Sequence, residues 1–401
     1  MKILVVLPRF PFPLEKGDKL RAYNQIKSLA QKNEIHLFAL SHTGVGEDAL
    51  EEMRKYCKSI CVARLNKLSG GLRMLRNFFS VRSLQLGYWS SSKARKMFRR
   101  YEARVCPDVV YAQMVRTAGY AALSRNPKVL DFQDALSMNM ERSMSMHRGL
   151  HYFVLHYEFK MLRSLEYNAC STFDALTIIS EIDSEAIPQH KNTVIDIVRN
   201  GVDFDYYRPV TMEKTNDIVF CGNMQYKPNI DASKYLIGEV MPIVWRTHPN
   251  AHVILAGATP KTAVRQLAGE RVTVTGWVDD IRPYYAKSKV FVAPMRIGSG
   301  LQNKLLEAMS MGVPCVTTPL ANDSLGATEG KEILVGRDAG QLAASIVRLL
   351  DDEGLRLSLS ESASVFVKEH FSWDAAGNIL EGVLKKAVQY HTSNEETEFE
   401  D

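Results

Sequence analysis

The sequence predicts an α/β protein of two doubly wound parallel-sheet domains facing each other across a cleft. Three observations carry this. The chain has 401 residues, too many for one ordinary core and enough for two domains of roughly 150–200 residues. Short apolar runs alternate with stretches of helical spacing, the pattern of a parallel sheet covered on both faces. That pattern runs once through the first half and restarts near residue 217.

"KILVVLPRF" reads as a buried strand ended by prolines. "KLRAYNQIKSLAQKN" has apolar residues at helical spacing, and "EIHLFAL" is a second strand. "ICVARL", "VVYAQM", "KVLDFQ", "DALTIIS" and "TVIDIVRNGV" continue the first half. In the second half "NDIVFCGN", "AHVILAG", "RVTVTG", "KVFVAPM", "VPCVTT" and "EILVG" read as strands. Helices are expected between them, at about 230–247, 260–268, 279–286, 301–312 and 338–351. "NGVDFDYYRPVTMEKTN" is polar, lacks periodicity and reads as the linker. The expected domains are therefore 1–200 and 201–372, with ligands at the carboxyl ends of the strands. The acidic residues 392–401 read as a disordered tail.

Composition narrows the class. Hydrophobic residues are 46 % and charged residues 24 %, as in soluble globular proteins. No apolar run reaches the roughly 20 residues needed to span a bilayer, and "MKILVVLPRF" reads as a first strand and not as a signal peptide. Six scattered cysteines lack the spacing of a zinc site and suit a reducing cytoplasm; no metal is expected. The net charge of +5 is uneven. Residues 64–104 hold eleven Lys/Arg and one acid, Glu102, so they carry +10 and the rest carries −5. Apolar and aromatic residues thread this segment, which suits either a solvated basic face or peripheral contact with an anionic membrane. No nucleic-acid motif accompanies the charge. Residues 137–165 hold five methionines and several aromatics, fitting helical core packing or an interfacial surface.

The chemistry concentrates in "IGSGLQNKLLEAMSMGVPCVTT", residues 297–318. Gly298, Ser299 and Gly300 follow a strand and precede a helix. Open backbone N–H groups and the helix dipole at such a start attract phosphate. Lys304 adds a charge one turn in, and Glu307 shares its face at i+3. A carboxylate there can accept both hydroxyls of a ribose. Taken alone, the pair reads equally as an intrahelical ion pair. The first strand is not followed by G-x-G-x-x-G, and "GSGLQNK" lacks Walker A spacing.

"GSGLQNKLLEAMSMGVPCVTT" resembles the donor-nucleotide motif of the family 4 retaining glycosyltransferases, which have the two-Rossmann GT-B fold. "RFPFPLEKGDKLRAYNQIKSLA" resembles that family's N-terminal glycine loop. "VLDFQDALSMNMER", "TIISEIDSEAI", "VRNGVDFDYYRP", "FCGNMQYKPNIDA" and "VTGWVDDIRPYYAKSKVFVAPMRIGSG" follow in order and resemble its exopolysaccharide and surface-glycan branch. The resemblance covers nearly the whole chain. It implies that Glu307 binds the nucleotide ribose, as the second glutamate of E-x7-E, and that Lys304 holds the donor diphosphate. It implies that Gly17 approaches the phosphates and the transferred sugar. Gly276, Trp277, Val278 and Asp279 match the turn that reads the nucleobase. Leu301 and Gln302, with Gly300, fall where backbone amides meet diphosphate and sugar. A C-terminal helix at about 373–391 is implied to cross back and complete the first domain.

The departures matter as much. Ser299 stands where the first glutamate of the motif is usual. "GNMQYKPN" offers Gly222, Asn223 and a shifted Lys227 where an Arg…Lys pair is usual, with a surface-loop lysine as the plain alternative. "DFQD" replaces a common histidine, leaving Asp131, Gln133 and Asp134 to orient or deprotonate an acceptor hydroxyl; helix capping is the alternative for Asp134. Arg9, Lys16, Asp18, Lys19 and Arg21 surround Gly17 and suit a phosphate-bearing acceptor, or simply an exposed loop. Arg199 and Asn200 open a turn first of all.

The expected activity is a retaining transfer of a sugar from a nucleotide-diphosphate donor to a hydroxyl of a lipid-linked glycan, in the cytoplasm or on the inner face of the membrane. The sugar nucleotide is a substrate, and no cofactor is expected. A sugar-nucleotide epimerase and a non-catalytic binding component of an assembly complex are the alternatives.

Overall fold

The computed structural model describes the chain apart from residues 81, 145–147, 192, 299–300 and 399–401, and apart from the side chains of residues 67 and 392–398. The chain divides into two compact units, Met1–Arg199 with Trp373–Asp401, and Asn200–Ser372.

Unit 1 holds β1 (Lys2–Leu7), β2 (Glu34–Ser41), β3 (Ser59–Arg64), β4 (Val109–Gln113), β5 (Lys128–Asp131), β6 (Ala175–Ile178) and β7 (Ile195–Ile197). They form one parallel sheet in the order β3-β2-β1-β4-β5-β6-β7. Ile3 to Leu7 are buried on both faces, which is why this strand reads as an unbroken apolar run. The order reverses between β1 and β4, so the carboxyl ends of those strands mark the place where a doubly wound sheet opens to a ligand.

The helix Trp373–Glu398 returns to unit 1. Its Leu380, Val383, Leu384 and Ala387 join Ala22, Ile26 and Leu29 of the Gly17–Leu29 helix in one apolar cluster. This helix runs past 391, through seven residues expected to be disordered. Glu residues there propagate a helix well, and neither Gly nor Pro interrupts them.

Unit 2 holds β8 (Asn216–Cys221), β9 (Val253–Ala256), β10 (Val272–Val274), β11 (Ser288–Ala293), β12 (Cys315–Thr317) and β13 (Leu334–Val335). Their order is β10-β9-β8-β11-β12-β13, all parallel, with the switch between β8 and β11. Gly257, at φ +141, ends β9 so close to β8 that a Cβ would stand 1.9 Å from the Gly222 carbonyl oxygen. Only glycine fits there, and the contact sets the mouth of the switch point. The stretch read as a linker belongs to this unit: Val202 bridges Ser372, and Ser310 Oγ donates to the Tyr207 carbonyl at 2.7 Å. Among the described residues no helix is long and apolar enough to cross a membrane.

Candidate functional site

In unit 2 the switch point gathers three chain segments. The turn after β8 carries Gly222 and Asn223 into the helix Lys227–Tyr235. The segment after β11 leads to the helix Asn303–Ser310. The helix Arg282–Ala286 precedes β11. Gln302 is the N-cap of the Asn303–Ser310 helix, and its side chain makes no cap bond to the first turn.

Lys304 and Glu307 do not pair with each other among the described contacts. Lys304 Nζ donates to Asn229 Oδ1 and lies 3.9 Å from Met295 Sδ. It also stands 4.9 Å from the Phe220 ring centroid. Burial pulls its pKa down to about 8, against the pull of Glu307. Glu307 accepts a 2.8 Å hydrogen bond from Tyr285 Oη and another from Tyr207. Burial raises the pKa of Glu307, while Tyr285, Lys304 and Tyr207 act the other way. The arrangement presents a cation at a helix start and, one turn on, a carboxylate braced by two phenols.

The remaining donor-side residues fall around this pair. Leu301 is buried, and Gln302 is half-buried. Asn223 Oδ1 accepts from the Gln225 N–H at 3.0 Å, so its side chain shapes its own turn. Lys227 is exposed at the helix start. Gly276, at φ +75, and exposed Trp277 follow β10, with half-buried Val278 next. The indole Nε1 donates to Asp279 Oδ1 at 3.3 Å. Ser299 and Gly300 lie outside the described residues.

In unit 1, Gly17 is exposed at the start of its helix. Arg9 pairs with Asp18 and lies 5.4 Å from the Trp89 ring centroid. Arg116 faces the same ring at 5.9 Å and donates to Gln85 Oε1 at 2.9 and 3.1 Å. Asp134 accepts from Asn139 Nδ2 at 3.0 Å. Its pKa is pushed up to about 6, first by burial and then by the Asp183 carboxylate, while Arg116 and Asn139 oppose the rise. Gln133 is half-buried at φ +67. Lys19 lies 4.0 Å from Glu15, and burial lowers its pKa.

Two expectations change here. Arg21 and Asp131 are both wholly buried and bound to one another, Nε to Oδ2 at 2.7 Å and Nη2 to Oδ1 at 3.1 Å. Tyr111 Oη and the Gln133 N–H also donate to Asp131, at 2.9 and 3.0 Å. Arg21 Nη1 donates to the Val198 carbonyl at 2.7 Å. With no surface and with these bonds made, Arg21 is not an acceptor contact and Asp131 is not a proton acceptor. They are scaffold, and Asp134 is left as the carboxylate at this end of β5.

Sequence reading missed Asn229, Tyr207, Tyr285, Trp89, Arg116 and Gln85. The one available signal was Pro228 in the first turn after a strand and a glycine turn, which marks a helix start and puts Asn229 beside it.

Residues 215–352, most of unit 2, match the family described as glycosyl transferases group 1. A Klebsiella pneumoniae protein described as an uncharacterized 44.6 kDa protein in cps region is 22 % identical over 395 residues, which is 92 % of this chain and 96 % of that protein. Many solved structures are similar in fold. Sucrose-phosphate synthase from Thermosynechococcus elongatus gives a TM-score of 0.70 at 14 % identity, over 96 % of this chain and 99 % of that one. Anabaena Alr3699/HepE, solved in complex with UDP, gives 0.70 at 15 %, over 96 % and 100 %. Two Rossmann-like units with this match define a transferase of the GT-B class.

Proposed function

We propose that the protein transfers a sugar, with retention, from a nucleotide-diphosphate donor held by unit 2 to a hydroxyl of a lipid-linked glycan held by unit 1. The observation that carries this is Lys304 hydrogen-bonded to Asn229 at the β8/β11 switch point, with no ion pair to Glu307 among the described contacts. That leaves a cation for the diphosphate and a carboxylate for the ribose. As the C1–oxygen bond to the phosphate breaks, its electron pair leaves with the nucleoside diphosphate. The Lys304 ammonium and the N-terminal dipole of the Asn303–Ser310 helix stabilise that charge. The acceptor oxygen bonds C1 on the same face, and its proton passes to the departing phosphate oxygen. Asp134 orients the acceptor hydroxyl.

The cps-region relative supports a role in surface-glycan or exopolysaccharide assembly. UDP is the first nucleotide to test, because Alr3699/HepE was solved with it. The enzyme works in the cytoplasm, brought to the inner face of the membrane by the basic segment 64–104. A thermal-shift panel of UDP, GDP, dTDP and ADP tests the donor site, since a ligand that binds the folded state raises its melting temperature. One nucleotide should stabilise the protein. If none does at millimolar concentration, the donor reading fails.

A further inference from the structure

The helix Lys67–Phe79 is folded inside out. Its Leu68, Leu72, Leu75 and Phe79 recur at helical spacing on one stripe, and they are 83, 71, 57 and 77 % exposed. The opposite face is packed. A Cβ on Gly70 would stand 2.9 Å from the Tyr88 ring, and one on Gly87 would stand 2.8 Å from the Arg73 carbonyl oxygen. Asn77 Nδ2 donates to the Ser83 carbonyl at 2.8 Å, and Arg73 Nε to the Gly87 carbonyl at 3.2 Å. Glycine and polar groups thus hold this helix against the helix Leu84–Trp89, and the apolar stripe is turned to solvent.

A second apolar surface adjoins it. Leu150, Phe153 and Val154 are exposed in the first turns of the helix Leu150–Thr172. One turn on, Tyr157 packs its ring 5.1 Å from Phe78 and donates from Oη to the Arg82 carbonyl at 2.9 Å. Glu158 accepts from Ser83 Oγ at 2.6 Å and from the Leu84 and Gln85 N–H groups at 2.8 and 3.1 Å. These bonds fasten the start of the Leu150–Thr172 helix to the base of the inverted one.

We propose that these two helix faces form a docking surface that inserts into the interface of an anionic lipid bilayer. Large exposed apolar patches mark interaction surfaces, and an apolar stripe flanked by basic residues suits a headgroup boundary. Charge selects the occupant. The stripe lies inside a segment with eleven Lys/Arg and one acid, which repels a second copy of itself and attracts anionic headgroups. The inference rests on the membrane reading above and adds the element that inserts.

The test is co-sedimentation of the full chain with phosphatidylglycerol-containing and with pure phosphatidylcholine vesicles, for the wild type and for Leu72→Ser/Phe79→Ser. Both replaced side chains are exposed, so the melting temperature and nucleotide response should not move. The wild type should bind the anionic vesicles only, and the double variant about tenfold more weakly or worse. If the variant binds anionic vesicles as the wild type does, the inserting face is wrong and the basic-segment reading survives. If the wild type binds no vesicles, both fall. Equal binding to both vesicle types overturns the anionic partner. A wild-type dimer that the double variant makes monomeric, with no vesicle binding, makes this a self-association face instead.

Discussion

Lys304 Nζ is hydrogen-bonded to Asn229 Oδ1, across 75 residues of chain, and not to Glu307 one turn away on its own helix. Asn229 completes the bridge by donating from Nδ2 to the Asn223 carbonyl at 2.9 Å. One buried amide thus aims the lysine and ties down the turn after β8. Asn229→Ala is expected to raise the donor KM about tenfold, equivalent to roughly 1.4 kcal/mol of binding. Asn229→Asp should be worse for donor binding, because its carboxylate would compete with the diphosphate for Lys304. Steady-state kinetics on both variants checks the order; a fully active Asn229→Asp enzyme would contradict it.

Lys304 has a pKa of about 8 in the free protein, below the ordinary 10.5 of a lysine, because burial disfavours its charge. The sign follows. The charged form is the costlier one in the folded state, so this lysine reduces stability below about pH 8, and the cost fades as pH rises from there toward 10.5. A diphosphate binds the charged form. Nucleotide affinity should therefore fall as pH rises through about 8, and binding there should take up a proton. Calorimetry in two buffers of different ionisation enthalpy measures that uptake, and Lys304→Met should abolish it.

Asp134 is shifted the opposite way, up to about 6 from an ordinary 3.8. Its protonated form is the favoured one in the folded protein. The stabilising effect of that proton is complete below the ordinary value and is lost as pH rises through about 6. At neutral pH the carboxylate therefore costs stability. Asp134→Asn is expected to raise the melting temperature at neutral pH while lowering kcat/KM about 10²-fold and removing an acid limb of the pH–rate profile near 6. A purely structural Asp134 would leave that limb in place.

The Arg21–Asp131 pair makes a contrasting prediction. Removing one member of a wholly buried pair leaves an uncompensated charge, at a cost of about 3–5 kcal/mol. Arg21→Ala should lower the urea midpoint sharply, while nucleotide affinity per folded molecule stays the same. Intact stability would contradict the scaffold role.

The two Rossmann-like sheets were legible because strands buried on both faces must be apolar throughout, as Ile3–Leu7 and Ile218–Cys221 are. Lys304 and Glu307 were legible because helix spacing puts them on one face. Their partners were not: Tyr285 and Asn229 lie 22 and 75 residues away in the chain, and only the fold brings them in. The same reason hid Arg21 from Asp131, 110 residues on, so both were read as working groups. Residues 64–104 read only as a basic segment threaded with apolar side chains; the helix Lys67–Phe79 and its orientation were not legible, since the contacts of Gly70 and Gly87 reverse the usual apolar-inward rule.

In the proposed reaction Lys304 holds the donor's diphosphate and Glu307 holds its ribose. Calorimetric titration of UDP, or of whichever nucleotide stabilises the protein, into wild type, Lys304→Ala and Glu307→Gln tests it directly. Both variants should stay folded and bind at least about tenfold more weakly, a loss of roughly 1.4 kcal/mol or more each. Unchanged affinity in both folded variants would contradict this donor site.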